Sequence, residues 1–129
     1  MSREAFEPAG VPPPTGPYSY AVSARGDLVA TAGQVAFDEH GEVVAGGIRE
    51  QTHRALLNLR RCLEAAGCGL ADVLKVTVFL AELDDRGGCN EVYAGFFEAP
   101  DPARTTVQTG LPEGLLVEIE AVACRAPHP

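Results

Sequence analysis

Apolar residues recur along this chain with two periods, one helical and one extended. Ile48, Ala55, Leu56, Leu59, Leu63 and Ala66 follow three- and four-residue steps, while Arg49, Glu50, Arg54, Arg60 and Glu64 fall largely on the other side. That pattern predicts a helix from Ile48 to Ala66, with Gly67 as its stop. A second helix is predicted from Arg86 to Glu98, where Cys89, Val92, Tyr93, Phe96 and Phe97 keep helical spacing. Gly87 and Gly88 weaken its first turn, and Pro100 ends it.

Elsewhere the period is two. Leu74, Val76, Val78 and Leu80 share one face of a predicted strand, with Val73, Lys75, Thr77 and Phe79 on the other. In the last strand Leu115, Val117, Ile119, Ala121 and Ala123 point one way, and Leu116, Glu118, Glu120 and Val122 the other. Further strands are predicted at Tyr18–Val22, Leu28–Ala32 and Arg104–Thr109, with turns at Arg25–Asp27 and Leu111–Gly114. A kink at Gly33-Gln34 precedes a continuation over Val35–Phe37, and after a turn at Asp38–Gly41 a short edge strand is predicted at Glu42–Val44. Residues 1–17, rich in proline and glycine, read as a loop or extended arm. The order of elements predicts an α+β fold over a single domain, residues 1–129, with two helices on one face of a mixed sheet.

That arrangement leaves a face uncovered. It would hold Phe79, Leu116 and Val122 beside polar groups, and a partly apolar sheet face is ordinarily buried against something. In a chain of 129 residues the partner expected is another copy, with Glu118 enclosed at or near the boundary.

Composition narrows the function classes. A net charge of −8 is a poor match for phosphate-backbone binding, so nucleic acid is not an expected partner. Arg54, Arg60 and Arg61 read as a solvated helix face. No apolar run is long enough to span a membrane, and the N-terminal stretch lacks the apolar core of a signal peptide, so a cytoplasmic protein is expected. Cys62, Cys68, Cys89 and Cys124 form no CxxC pair, and His40, His53 and His128 are scattered. Neither a disulfide framework nor a metal site is expected; Cys62 and Cys124 read as small core residues.

The chemistry concentrates between Pro102 and Ala123. Arg104 opens one strand, and Glu118 and Glu120 interrupt an otherwise apolar one. Charges in such a setting are paired or functional. A guanidinium can grip a carboxylate in two places, and a nearby acid can handle a proton or water. This reads as a site for a small anionic substrate. Arg104 as a strand-end surface residue and Glu118 as half of a structural ion pair are the alternatives, with Glu120 the more structural of the two acids.

Eight segments complete the picture: GPYSYAV (16–22), TAGQVAFDEHGEVV (31–44), QTHRALLNLRRCLEAAG (51–67), DVLKVTVFLAELDD (72–85), NEVYAGFF (90–97), PARTTV (102–107), LP (111–112) and VEIEAVA (117–123). In this order and spacing they resemble the reactive intermediate/imine deaminase family (RidA, also YjgF, historically endoribonuclease L-PSP). The resemblance implies a chorismate-mutase-like fold assembled as a barrel-like homotrimer with clefts between subunits. It implies hydrolysis of 2-imino acids and their enamine tautomers to 2-oxo acids and ammonia, with no metal or organic cofactor. By similarity Arg104 clamps the substrate carboxylate and Glu118 positions or activates the water. Tyr18, Gly33, Asn90 and Thr106 would line the substrate site. Tyr18 could instead be packing, Asn90 a helix-start residue, and the Gly33-Gln34 kink conformational.

Tyr20 stands where the family often has glutamine, and Ala32 where it often has serine. Some members carry a cysteine near Thr106. These departures bear on substrate preference. They leave open a specialised deaminase for one larger substrate, or a trimer that binds ligands or proteins without turnover. A ribonuclease, the older label, is disfavoured by the acidic charge and the lack of a histidine pair.

Overall fold

The structure, a computed structural model, describes residues 3–126. The ends of the 1–129 span, and His128 with them, lie outside the described residues. The elements are β1 (Glu4–Phe6), β2 (Ala21–Ser23), β3 (Asp27–Ala30), α1 (Ile48–Ala65), β4 (Val73–Leu80), α2 (Arg86–Ala94), β5 (Ala103–Gln108) and β6 (Val117–Arg125). Short 3-10 turns at Leu70–Asp72 and Leu83–Asp85 precede β4 and α2.

The main sheet has the order β3-β6-β4-β5. β6 runs antiparallel to both β3 and β4. β4 and β5 are parallel, because the connection between them carries α2 back along the sheet as a crossover. The two helices pack on one face, as an α+β fold requires. Ala55, Leu56, Leu59 and Leu63 of α1 meet Val76, Val78, Ile119, Ala121 and their neighbours in one buried cluster. The alternation read for the last strand holds: Val117, Ile119, Ala121 and Ala123 are buried, and Glu118, Glu120 and Val122 are not.

In β4 the expected faces need one correction. A register shift between Val73 and Lys75 turns Val73 into the core and leaves Leu74 partly exposed. The extra residue of a bulge reverses the parity of what precedes it. The second helix also ends earlier than expected, at Ala94 rather than Glu98. Gly95 and Phe96 instead donate to the carbonyls of Val92 and Tyr93 at 3.1 and 3.0 Å, the tighter bonding of a closing helical turn.

The first third of the chain is less regular than its alternation suggests. The predicted Tyr18–Val22 and Leu28–Ala32 strands are realised as Ala21–Ser23 and Asp27–Ala30. Val35–Phe37 and Glu42–Val44 form no strands, only bridges pairing Gln34 with Ile119 and Phe37 with Val43. The proline-rich arm contributes β1, which pairs with β2. Arg3 holds that arm in place. Its guanidinium donates to the carbonyls of Pro100 (2.6 Å), Leu70 and Ala71 (both 3.0 Å), Val73 and Glu98 (both 3.1 Å).

At the start of α1, the Glu50 carboxylate accepts the Gly47 N–H at 2.8 Å, meeting one of the donors a helix start leaves free. Gln51, buried on the same helix, ties α1 to the last strand. Its amide donates to the Gly114 carbonyl and accepts the Leu116 N–H. Among the described residues no helix is long and apolar enough to cross a membrane. Cys68, Cys89 and Cys124 are buried free thiols; Cys62, expected in the core, is only half-buried because it lies off the apolar stripe of α1.

Candidate active site

Arg104 lies on the helix side of β5. It pairs with Val76, whose side chain is in the core, and cross-strand partners share a face. The α2 residue Tyr93 confirms the side: the Arg104 guanidinium carbon sits 4.7 Å from its ring centroid, a cation–π contact. One guanidinium nitrogen, Nη1, is enclosed with no hydrogen-bond partner, and so is the hydroxyl of Thr106 two residues along. Buried donors of this kind are normally satisfied, and a charged one left open is a place for an anion.

These groups border a cavity of about 390 Å³. Tyr18, Asn90, Arg104 and Thr106, four of the predicted site residues, line it together. Thr15, Gly16 and Arg86 line it as well, and sequence reasoning missed them. Arg86 was legible in principle. It stands four residues before Asn90, so both fall on one helical face. Asn90 is in the second turn of α2, which removes the helix-start alternative.

Tyr18 is positioned by a short parallel bridge of Ser19 to Ala103. The Ser19 N–H donates to Pro102 at 3.2 Å and its hydroxyl to Asp101 at 2.6 Å, docking the tyrosine segment beside Arg104. The Tyr18 hydroxyl is 3.3 Å from the Thr15 N–H and 3.5 Å from its hydroxyl. Hydrogen bonding to the Thr15 side chain, then to its backbone, lowers the phenol below its ordinary pKa. Tyr20 stays outside this cavity. It packs edge-on to Tyr18 and donates to the Pro12 carbonyl at 2.6 Å, so it lies behind Tyr18 and against the arm.

Burial pushes the Tyr93 phenol up, with Arg104 opposing it in part. Burial likewise raises the Cys89 thiol, which is 1% exposed, so it is no ready nucleophile.

Glu118 and Gly33 lie elsewhere. Glu118 pairs with Phe79, three residues on from Val76, and so points to the face without helices. The chain at its side has one residue more than β6. Ala30 pairs with Val122, but Gln34 bridges to Ile119. The Ala121 N–H is taken by the Thr31 hydroxyl at 3.1 Å within this bulge. The bulge brings Gly33 against Glu118 so closely that a Cβ at position 33 would fall inside the carboxylate. Gly33 therefore leaves the space that the Glu118 carboxylate occupies, and a side chain there would displace it. Within one chain the predicted residues form two groups, one around Arg104 and one around Glu118, on opposite faces of the sheet.

Known proteins match this chain over nearly its whole length. The family model described as endoribonuclease L-PSP matches residues 9–125. A RutC family protein of Pyrococcus abyssi is 44% identical over 125 residues, 95% of this chain and 98% of its own. The 2-iminobutanoate/2-iminopropanoate deaminase of Mus musculus is 41% identical over 127 residues, covering 97% of this chain and 93% of the mouse protein. A solved structure from Yersinia pestis, of the conserved Rid protein family, superimposes with a TM-score of 0.82 at 32% identity, over 96% of this chain and 99% of that one. Sequence, fold and length agree, and the chain belongs to the RidA/YjgF family, the family of endoribonuclease L-PSP.

Proposed function

We propose that this protein hydrolyses 2-imino acids, and the enamines in balance with them, to 2-oxo acids and ammonia, at clefts that two copies complete together. The observation that supports it most directly is the Arg104 guanidinium, open on one donor, in a cavity that no acidic residue lines. A substrate carboxylate is the natural occupant. That relatives about 40% identical are named imine deaminases supports the reaction class.

The chemistry asks little. Arg104 fixes the carboxylate, and with it the plane of the imine. Water adds through its oxygen to the imine carbon while a carboxylate, assigned here to Glu118, accepts a proton from it. The nitrogen of the resulting tetrahedral carbon is protonated. The C–N bond breaks with its electron pair leaving on nitrogen, and the oxygen loses its remaining proton to become the 2-oxo group. Nothing is oxidised or reduced, and an iminium is electrophilic enough to need no cofactor.

Because Arg104 and Glu118 face opposite sides of one sheet, the reading requires Glu118 from a neighbouring copy. The helix-free face supports such an association. Phe79, Leu116 and Val122 are only partly buried there, and Val107 and Leu28 are exposed. A closed trimer of three such faces is the assembly we assign.

The test generates 2-iminopropanoate and 2-iminobutanoate in situ and follows 2-oxo acid release. The wild-type protein should accelerate both, and Arg104→Ala should accelerate neither. No acceleration by the wild type would end the reading, and equal rates for the two proteins would remove Arg104 from the site.

A further inference from the structure

Two arginines line the same cavity. Arg104 enters from β5 and Arg86 from the first turn of α2, one turn before Asn90. No residue lining the cavity is acidic, although the chain as a whole carries −8. Among the described residues the Arg86 side chain has neither a hydrogen-bond nor an ion-pair partner, whereas those of Arg49, Arg54 and Arg125 each meet a carboxylate. Asp84 and Asp85 precede Arg86 in the chain but do not line the cavity. Two like charges facing one cavity repel each other unless anionic groups lie between them, and the Glu118 assigned to the cleft from a neighbouring copy supplies one negative charge against the two. The cavity is also roomy. In the single chain, before a second copy completes the cleft, its volume of about 390 Å³ would hold on the order of a dozen waters.

We propose that Arg86 binds a second acid group on the substrate, so that the cleft prefers 2-imino acids with a carboxylate at both ends, the imines of acidic amino acids. This rests on the deaminase reading of Arg104. Arg104 holds the carboxylate beside the imine carbon, and Arg86 holds the one at the end of the side chain. Water addition and ammonia release are as above. Asn90, one turn after Arg86 on α2, lines the same cavity and supplies an uncharged donor to the same ligand. Simple attraction of anions is a different effect: it raises encounter rates for every anion and fades with salt. A grip by Arg86 changes the ratio between dicarboxylic and monocarboxylic ligands.

The experiment therefore reads that ratio at moderate salt, in wild type, Arg86→Gln and Arg86→Lys. One arm follows hydrolysis of 2-iminoglutarate and 2-iminopropanoate generated in situ. The other measures calorimetric binding of 2-oxoglutarate and 2-oxobutanoate. Wild type should favour the dicarboxylic member of each pair by about tenfold or more, the size of one charge-assisted contact. Arg86→Gln should lose most of that preference, and Arg86→Lys should keep part of it. A wild type without the preference, or an Arg86→Gln variant that weakens both members equally, overturns the proposal. Failure of all three proteins to hydrolyse either imine would sink the deaminase reading instead. Calorimetry then still decides Arg86: preference for 2-oxoglutarate lost in Arg86→Gln upholds it, and no preference refutes it.

Discussion

Arg104 and Glu118 sit on opposite faces of one sheet. Arg104 is in register with Val76 and Glu118 with Phe79, and an odd separation along a strand reverses the face. No rotamer brings the two side chains together within a chain. If both serve one reaction, two chains must supply them.

Mixing inactive variants tests this. Arg104→Ala and Glu118→Gln should each reduce kcat/KM for imine hydrolysis, by about a hundredfold or more for the loss of the acid. Unfolded and refolded together, they should regain activity. In the proposed trimer a mixed assembly would contain one cleft with both side chains intact, so random assembly would restore roughly a quarter of wild-type activity. Regain of none, with mixed assemblies demonstrated by mass spectrometry, would remove one of the two groups from catalysis.

Gly33→Ala should act through Glu118. The added methyl would occupy the carboxylate's position, so that side chain must move. We expect kcat to fall about tenfold or more, and the Gly33→Ala/Glu118→Gln pair to be no worse than Glu118→Gln alone. Additive losses in this cycle would mean that Gly33 contributes independently of the acid.

Leu59→Ala should cost about 2–5 kcal/mol in urea unfolding, the range for removing a fully enclosed leucine from between helix and sheet. A cost well under 1 kcal/mol would mean that the site collapses freely on the cavity.

Stability should carry an acid-side signature from Glu50. The hydrogen bond from the Gly47 N–H, and a second from Glu50's own backbone, hold its carboxyl below the ordinary range. A carboxylate depressed in the folded state stabilises above its unfolded pKa, and that contribution disappears as pH falls through the folded value. The melting temperature of wild type should exceed that of Glu50→Ala at neutral pH, and the gap should close below pH about 4. A gap independent of pH would mean that the carboxylate's charge is irrelevant to the helix start.

Much of this was legible in the residues. The stripe of α1 and the alternation of β6 are strong periodic signals, and they place the core correctly. Tyr18, Asn90, Arg104 and Thr106 do meet in one cavity. What escaped was set by backbone detail. The Leu74 bulge reverses a face without altering the pattern that predicts it. Gln51 reads as a solvated position, yet its amide is enclosed because two backbone groups need it. Arg86 looked like an ordinary helix-start residue until the Thr15–Tyr18 segment closed the cavity opposite it. Strand pairing between distant segments decides such matters, and no local period encodes it.

The anchoring of Arg3 also orders events during synthesis. Its acceptors on Leu70, Ala71, Val73, Glu98 and Pro100 lie 67 to 97 residues downstream. The segment around Arg3 must therefore wait until the chain through Pro100 has been made before it can dock. Until then β1 has no fixed seat, and the Tyr18 segment, whose bridge needs Ala103, has none either. One wall of the cleft is thus built from a segment whose seat is made long after the segment itself.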